Sequence, residues 1–201
     1  MRDEKAIEAI KARYNIAGDY ILFVGTLQPR KNLIRLIEAF SNLQSPISNI
    51  QLIIAGKKGW LYEETFRQVE ELGLEWKVVF TDYAPEGDLP ALLSGASLFV
   101  FPSLYEGFGL PVLEAMACGT PVVCSNVSSL PEVAGEAAIL VDPLDVEELA
   151  TAMERVLGDE ELRAELTERG FEQARRFSWE KCARQTLDVL ERVCHELREF
   201  H

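Results

Sequence analysis

The sequence predicts an α/β fold, in which a doubly wound parallel sheet is followed by a helical C-terminal segment. Two observations support this. Short apolar runs, rich in β-branched residues, recur along the chain, and such nearly continuous hydrophobicity is typical of parallel strands covered on both faces. Helical patterns separate these runs, so strands and helices alternate as they do in βαβ units with right-handed crossovers.

The strands and the helices between them can be placed in order. Strands are predicted at 20–26, 50–56, 77–82, 97–102, 121–125 and 137–142. The first helix after a strand has Leu33, Leu36, Ile37 and Phe40 on one face, behind Asn32 as its N-cap. Further helices are predicted at 61–73, 86–94, 110–117 and 145–157.

The chain divides into three parts within one predicted domain of 201 residues. Residues 1–19 are a linker and first helix, 20–157 are the Rossmann-like α/β core, and 158–201 are C-terminal helices. Ser178 is the predicted N-cap of the last helix. The apolar face of that helix carries Trp179, Cys182, Thr186, Val189, Leu190, Val193 and Leu197.

Composition excludes several kinds of partner. The 20 basic and 33 acidic residues give a net charge of −13, which argues against a nucleic-acid partner. No apolar run reaches the roughly 18 residues that a transmembrane helix needs. Because the start of the chain lacks the apolar segment of a secretory signal, we expect a cytoplasmic protein. We accordingly expect the four cysteines to be buried thiols.

Basic residues follow the first two predicted strands. Gly25 ends the first strand, and Arg30 and Lys31 stand just before a helix. Gly56 and Lys57 follow the second strand in the same way. Ligands of open parallel sheets bind at the carboxyl ends of the strands, where helix N-termini attract anions. These residues therefore predict an anion site.

Two acids flank the loop after the fourth strand. Glu106 and Glu114 stand eight positions apart. Between them, Pro111 suits the first turn of a helix, so the backbone N–H groups of Gly109 and Leu110 would be free to meet a ligand. Taken singly, each acid would ordinarily be a solvated surface residue. We give them more weight because they share an edge with the cations.

Several ligand classes do not fit this pattern. The chain has neither GxGxxG after its first strand nor GxxxxGK[ST] anywhere, and no His/Cys cluster offers metal ligands. Paired acids could belong to a glycoside hydrolase. Such an enzyme, however, does not need basic residues and helix N-termini arranged to bind an anion. A phosphorylated leaving group would use both.

Several blocks resemble a known family in order and spacing. They are "GTLQPRKN", "FTDYAPEGDLPALLSGASLFVFPS", "EGFGLPVLE", "MACGTPVV" and "SSLPEVAG". The chain resembles, from about Tyr20 to Trp179, the C-terminal, donor-binding half of a GT-B glycosyltransferase of the retaining family 4 group. The E-x7-E motif, Glu106 to Glu114, is the most specific block.

The resemblance implies a role for each candidate residue at the diphosphate and the sugars. Glu106 would bind hydroxyls of the transferred sugar, and Glu114 would bind the ribose. Arg30 and Lys31 would neutralise the departing diphosphate, so no metal and no cofactor are expected. Backbone N–H groups of Phe108, Gly109 and Leu110 would reach the sugar and the diphosphate. The catalytic residues implied are therefore Glu106, Arg30 and Lys31.

The resemblance also places the nucleotide base and shows one departure. Tyr83 matches the segment that holds the base, and Leu89 lies near it. The remaining donor-binding positions are Gly25, Thr26, Gly56 and Lys57. Thr26 stands where many family members carry Arg, so one diphosphate contact is in doubt.

The resemblance covers half an enzyme, because the family's N-terminal acceptor domain is absent. The expected function is retaining transfer of a sugar from a nucleotide-diphosphate sugar, with GDP-mannose as the leading donor. The acceptor, a glycan or a lipid, would bind through the missing domain, which leaves room for peripheral membrane association of the intact enzyme. The isolated domain is expected to be inactive.

Alternatives remain open at this point. A nucleotide-sugar epimerase of GT-B architecture would show activity without an acceptor. A non-catalytic module would bind a nucleotide sugar without turnover. A response-regulator-like domain would need acids after its first strand, where this chain has Arg30 and Lys31.

Overall fold

The computed structural model describes residues 3–43 and 50–199. One six-stranded sheet, parallel throughout, has the order β3-β2-β1-β4-β5-β6. The strands are β1 Tyr20–Val24, β2 Gln51–Ala55, β3 Val78–Asp82, β4 Leu98–Phe101, β5 Val122–Ser125 and β6 Ala138–Val141. Every predicted strand is present with slightly tighter bounds, and the predicted fold class is confirmed.

Helices connect the strands and cover both faces of the sheet. They are α1 Glu4–Tyr14, α2 Leu33–Ser41, α3 Glu63–Glu71, α4 Leu89–Gly95, α5 Leu110–Ala117, α6 Leu130–Ala134, α7 Val146–Gly158, α8 Glu160–Arg175 and α9 Trp179–Glu199. A 3₁₀ turn, Pro29–Lys31, precedes α2. The sequence did not predict this turn or α6, because segments of three and five residues are too short to show helical periodicity.

Two predicted helices begin later than expected for local reasons. Leu61 has a φ of 54°, a left-handed conformation that cannot lie inside a right-handed helix, so α3 begins at Glu63. Before α4, the N–H of Asp88 donates to Pro85 O at 2.9 Å, which closes a turn in place of the predicted first helical residues. The Asp88 side chain instead accepts from Tyr14 Oη and Arg13, both at 2.7 Å, and so ties α1 to α4.

The core lies on the two faces of the sheet. Tyr20, Ile21, Leu22 and Phe23 on β1 are all 0% exposed, which explains why this strand shows no alternation of polar and apolar residues. The Tyr20 hydroxyl is satisfied by donating to Leu92 O at 2.7 Å. Burying these side chains is favourable by about 1.5–3 kcal/mol each.

The strand order places a crevice at one point of the sheet. The chain winds outward from β1 to β3, and then returns to β4, which pairs with β1 on its other side. The loops after β1 and β4 therefore leave the sheet in opposite directions. A crevice opens between them at the carboxyl ends of the strands, where ligands bind in folds of this kind.

Asn32 links the two sides of this crevice and does not act as a side-chain cap. It precedes α2 as predicted, but with a φ of 59° and no hydrogen bond from its side chain to the helix. Its Nδ2 instead donates to Pro102 O at 3.0 Å and Pro143 O at 2.7 Å. Asparagine tolerates the left-handed conformation, and here its amide satisfies two carbonyls of other loops.

The last helix is capped as predicted but lies open to solvent. Ser178 Oγ accepts the N–H of Lys181 at 3.1 Å, which confirms the N-cap. Trp179 is 78% exposed, and Leu187, Val189, Leu190 and Val193 on α9 are also exposed; the side chain of Leu197 lies outside the described residues. The expectation of four buried thiols is therefore wrong for Cys182 and Cys194, which lie exposed on α9.

We expect Asn32→Ala to lower the free energy of unfolding by about 2–3 kcal/mol, because two carbonyls lose their donor in a buried position. Asn15→Ala is the matched control, since Asn15 has a φ of 55° and is exposed. It should cost less than about 1 kcal/mol. Urea titration of both variants gives the comparison. Equal losses would mean that the left-handed backbone alone makes Asn32 necessary.

Candidate functional site

Backbone hydrogen bonds join the loops after β1, β2 and β3 side by side. We call these three joined loops the shelf. The N–H of Gly25 donates to Ala55 O, and the N–H of Gly56 donates to Asp82 O, both at 2.9 Å. The N–H of Leu27 donates to Lys57 O at 2.9 Å. These backbone bonds fix the carboxyl edge of the sheet before any side chain is considered.

Glycine is needed at positions on this shelf for a structural reason that the sequence did not show. A Cβ at Gly56 would lie 1.9 Å from Gly25 O, which is far inside van der Waals contact. At Gly59, a Cβ would lie 2.9 Å from Thr26 Cγ2. Gly56 is therefore required by the neighbouring loop itself, whereas the sequence suggested only that glycines leave space for a ligand. Thr26 lies exposed on the same shelf.

A buried ion pair bridges the loops after β1 and β4. Lys31 Nζ lies 2.5 Å from Glu106 Oε1, and the two side chains are only 9% and 10% exposed. Arg30 Nη1 lies 3.4 Å from Glu106 Oε2, with its side chain 39% exposed. Lys31 Nζ also lies 4.6 Å from the centre of the Phe101 ring. Three candidate residues thus meet in one cluster, although Glu106 lies 75 positions from Lys31 and 76 from Arg30 in sequence.

The burial of this pair makes each partner depend on the other. Removing a charge from water costs several kcal/mol, and its partner returns that energy only when the geometry is close. Breaking such a pair by truncating one residue typically costs about 3–5 kcal/mol, since the remaining charge stays buried. Because Arg30 is more exposed, we expect its contact with Glu106 to contribute less.

The loop 102–109 is held from two sides. On one side, Arg30 Nη1 donates to Tyr105 O at 2.9 Å, and the N–H of Leu104 donates to Arg30 O at 2.9 Å. On the other side, the N–H of Glu106 donates to Ser128 Oγ at 3.0 Å. Ser129 Oγ lies 2.7 Å from Phe108 O and 3.1 Å from Glu106 O. The Glu106 backbone is therefore fixed.

Sequence reasoning missed the roles of Ser128 and Ser129. The block "SSLPEVAG" contributed to the family resemblance, but no function was assigned to it. Its available signal was two adjacent hydroxyl residues before Leu-Pro, a pattern that local capping of the next helix explains equally well. Only the fold brings these residues to the loop after β4.

Helix α5 begins directly after this loop. Gly109, its N-cap, has a φ of 106°, and a Cβ there would lie 2.6 Å from Leu130 Cδ2. Only glycine suits both conditions. Leu110 is exposed at the first helical position, and Phe108 packs edge-to-face on Phe177 with ring centres 5.9 Å apart. The positive end of the α5 dipole therefore follows Glu106 closely along the chain.

Glu114 lies one turn into α5 and carries a perturbed carboxyl. Burial raises its pKa above the ordinary value, and the negative charge of Glu86 raises the pKa further. Glu86 belongs to the loop between β3 and α4, and sequence reasoning did not name it. Carboxyl groups with a perturbed pKa are common at functional sites.

Tyr83 and Lys57 form a separate contact on the β2–β3 side of the shelf. Lys57 Nζ lies 4.4 Å from the centre of the Tyr83 ring, which is 54% exposed. Leu89 is the first residue of α4 and packs on the core while remaining partly exposed. Within residues 3–43 and 50–199, no hydrogen bond or ion pair between side chains joins these residues to the Lys31–Glu106 cluster.

Three buried side-chain oxygens at this edge have no hydrogen-bond partner among the described parts of the chain. Gln28 Oε1 follows β1, Ser103 Oγ follows β4, and Ser125 Oγ ends β5. A buried polar atom left unpaired costs about 1–3 kcal/mol. Their location at the carboxyl ends of the strands is consistent with a binding site there.

The described residues form neither a cluster of metal ligands nor a membrane-spanning helix. No group of three or more His, Cys, Asp or Glu side chains within them is arranged to hold a metal ion. No helix within them combines the length and the apolar character needed to cross a membrane.

The fold and the cluster together define an α/β domain with a buried Lys–Glu ion pair at its topological switch point. Residues 6–173 match the family described as "Glycosyl transferases group 1", so the chain belongs to the group 1 glycosyl transferases. It is 44% identical over 179 residues to O-antigen chain mannosyltransferase B of Escherichia coli. That match covers 88% of this chain and 47% of the relative, so the chain spans about half the length of that curated relative.

Solved structures agree with this assignment. Alr3699/HepE of Anabaena, in complex with UDP and glucose, superposes with a TM-score of 0.85 at 25% identity, covering 94% of this chain and 53% of that one. A C-terminal domain of a group 1 family glycosyl transferase from Francisella tularensis gives a TM-score of 0.74 at 23% identity, covering 84% of this chain and 90% of that one. The predicted GT-B C-terminal fold and family are confirmed.

Glu114 is exposed on α5, so solvent screens part of its charge, and we expect Glu114→Gln to raise the melting temperature at neutral pH by no more than about 1 °C. Because the pKa of Glu114 is raised in the folded chain, its ionised form destabilises the fold above that pKa and costs nothing once protonated. The gain should therefore shrink as the pH falls through the pKa of Glu114. Glu168→Gln on exposed α8 controls for net charge. A gain that is independent of pH would contradict the assignment.

Proposed function

We propose that this chain binds a nucleotide-diphosphate sugar in the crevice between the loops after β1 and β4. In the full-length protein it would provide the donor site of a retaining hexosyltransferase. The observation that supports this most strongly is the cluster of Lys31, Arg30 and Glu106, with two cations and one carboxylate at the switch point. A diphosphate linked to a sugar needs both kinds of group.

The cations would act on the diphosphate. Breaking the bond between the sugar and the diphosphate leaves negative charge on the diphosphate oxygens. Lys31, Arg30 and the N-terminus of α5 would stabilise that charge, and such preorganised stabilisation is often the largest contribution to catalysis. The proposal therefore needs no metal ion, since these cations do the corresponding electrostatic work.

The two glutamates of the E-x7-E motif would bind different hydroxyl groups. A carboxylate accepts hydrogen bonds from vicinal hydroxyls. Glu106 lies beside Lys31, so a donor whose diphosphate contacts Lys31 presents its sugar to Glu106. Glu114 lies further along α5, on the side of the β3–α4 loop that contains Glu86, and would bind the ribose. Tyr83, Lys57 and Leu89 would then flank the base.

Mannose is the proposed sugar and GDP the proposed carrier. The support is similarity to mannosyltransferases, including the E. coli O-antigen chain enzyme and, at 36% identity over 196 residues, serotype-specific mannosyltransferase WbdA of the same species. Gly25, Thr26 and Gly56 complete the proposed donor surface through the backbone of the shelf.

The acceptor would be bound by a part of the protein outside these 201 residues. We propose a glycan or lipid acceptor, and we propose that the intact enzyme works in the cytoplasm with peripheral contact to a membrane when the acceptor is a lipid. The support is that the chain matches only 47% of the length of its mannosyltransferase relative.

A panel of ligands tests the donor proposal directly. UDP, GDP, ADP and their hexose derivatives should be compared by thermal shift, because a ligand stabilises the folded chain by RT ln(1 + [L]/Kd). We expect GDP and GDP-mannose to give the largest shifts. A larger shift with UDP-glucose would replace the proposed donor, and no shift with any member would remove the proposed function.

We expect Lys31→Ala to weaken binding of GDP about 10- to 100-fold while leaving guanosine binding nearly unchanged. A hydrogen bond to a charged group contributes about 1.5–3 kcal/mol, which corresponds to this range. Calorimetry supplies the dissociation constants, circular dichroism checks that the variant is folded, and Lys5→Ala on exposed α1 controls for charge. Equal losses for the two ligands would exclude Lys31 from the phosphate site.

We expect the 201-residue chain to bind the donor but to transfer no sugar to an added acceptor. Holding two reactants in a fixed orientation supplies a large share of such catalysis, and this chain would orient only one of them. A radiolabelled-donor assay against a mannose oligosaccharide provides the measurement. Sustained transfer by the purified chain would contradict this, and sugar isomerisation without acceptor would favour an epimerase.

A further inference from the structure

The position of Lys31 has a consequence for the product of the reaction. Lys31 Nζ lies 2.5 Å from Glu106 Oε1, so the ammonium group has the carboxylate as its counter-ion. We propose that Glu106 competes with the diphosphate for Lys31, so that the site favours the intact donor over the bare nucleoside diphosphate and thereby promotes product release. This inference rests on the proposed function of the same site.

The surroundings of Lys31 leave little freedom to avoid this competition. Its side chain is 9% exposed, and the Phe101 ring lies 4.6 Å from Nζ. An ammonium group has three donors, and here an aromatic ring and a carboxylate already occupy part of its surface. A phosphate oxygen that reaches Lys31 must therefore lie close to the Glu106 carboxylate, and the two negative groups repel each other.

Glu106 cannot easily move away from the incoming phosphate. Its N–H donates to Ser128 Oγ at 3.0 Å, and its carbonyl accepts from Ser129 Oγ at 3.1 Å. Its side chain is 10% exposed, so turning the carboxylate elsewhere would leave it buried without a counter-ion. Arg30, with a side chain that is 39% exposed, has more freedom to follow the phosphate.

The intact donor relieves the repulsion that the bare diphosphate causes. Hydroxyls of the transferred sugar donate to Glu106 and supply partners for the carboxylate when Lys31 turns to the phosphate. After transfer, those hydroxyls leave with the glycosylated acceptor. The carboxylate then faces the diphosphate with only the longer contact to Arg30, at 3.4 Å, and regains Lys31 as the diphosphate departs.

The family resemblance implies a sugar contact for Glu106. With that contact alone, Glu106→Gln would leave binding of the bare diphosphate unchanged. The ion pair indicates instead that Glu106→Gln strengthens that binding, because the variant frees Lys31 from its competitor and leaves it in need of an anion.

Calorimetry with two ligands tests this. We expect Glu106→Gln to bind GDP about tenfold more tightly than the unsubstituted chain, a difference of about 1.4 kcal/mol, and to bind GDP-mannose several-fold more weakly. UDP and UDP-glucose serve as a second pair of probes. Glu168→Gln, which changes net charge equally on exposed α8, should alter neither constant.

Two further variants keep the competition testable if Glu106→Gln alone fails to fold. Glu106→Asp keeps a carboxylate for Lys31 but is one methylene shorter, so we expect a gain in GDP affinity of about threefold. In a Lys31→Met background, Glu106→Gln should gain less than about threefold, since the gain acts through Lys31. A full tenfold gain in that background, or no gain in either single variant, would overturn the competition.

The outcomes separate this inference from the proposed function. When the unsubstituted chain binds GDP and GDP-mannose but neither Glu106 variant binds GDP more tightly, only the role of Glu106 in product release fails. When the unsubstituted chain binds none of the four probes, the proposed function fails and this inference fails with it.

Discussion

The pairing of β1 with β4 is the constraint on which the site depends. Because β1 is bonded to β2 on one side and β4 on the other, the loops that follow β1 and β4 diverge and leave a crevice. The Lys31–Glu106 ion pair and the Asn32 side chain span that crevice. The same contacts that join the two loops therefore place charge at the edge of the sheet where ligands of such folds bind.

The edge of the sheet contains several groups that stability alone would not select. Glu114 has a raised pKa through burial and the charge of Glu86, and Ser103 Oγ is buried without a partner. The buried Lys31–Glu106 pair is also not the most stable choice for these positions, since apolar residues of similar volume often stabilise a fold as well or better. Sequences accept such costs mainly at functional sites, whereas the strands beneath are uniformly apolar.

The sequence predicted the strands and the family well, and its failures have physical causes. Continuous apolar runs identify buried parallel strands because both of their faces meet helices. Asn32 looked like an ordinary helix cap, since its contacts with Pro102 and Pro143 depend on loops 70 and 111 positions away. The Lys31–Glu106 pair, 75 positions apart, was likewise invisible, although both residues were named separately. The family resemblance implied the residue roles, but the pairing of Lys31 with Glu106 needed the fold.

The division between a rigid and an adaptable part of the site follows from how each group is held. Loop 102–109 is bonded to the β1 side by Leu104 and to the β5–α6 side by Ser128 and Ser129, so little ordering remains to be done when a ligand binds. Arg30 is the exception, with its side chain 39% exposed and only a 3.4 Å contact with Glu106. A fixed carboxylate with one buried and one adaptable cation can change counter-ions without moving the backbone, which suits the proposed binding and release of a diphosphate.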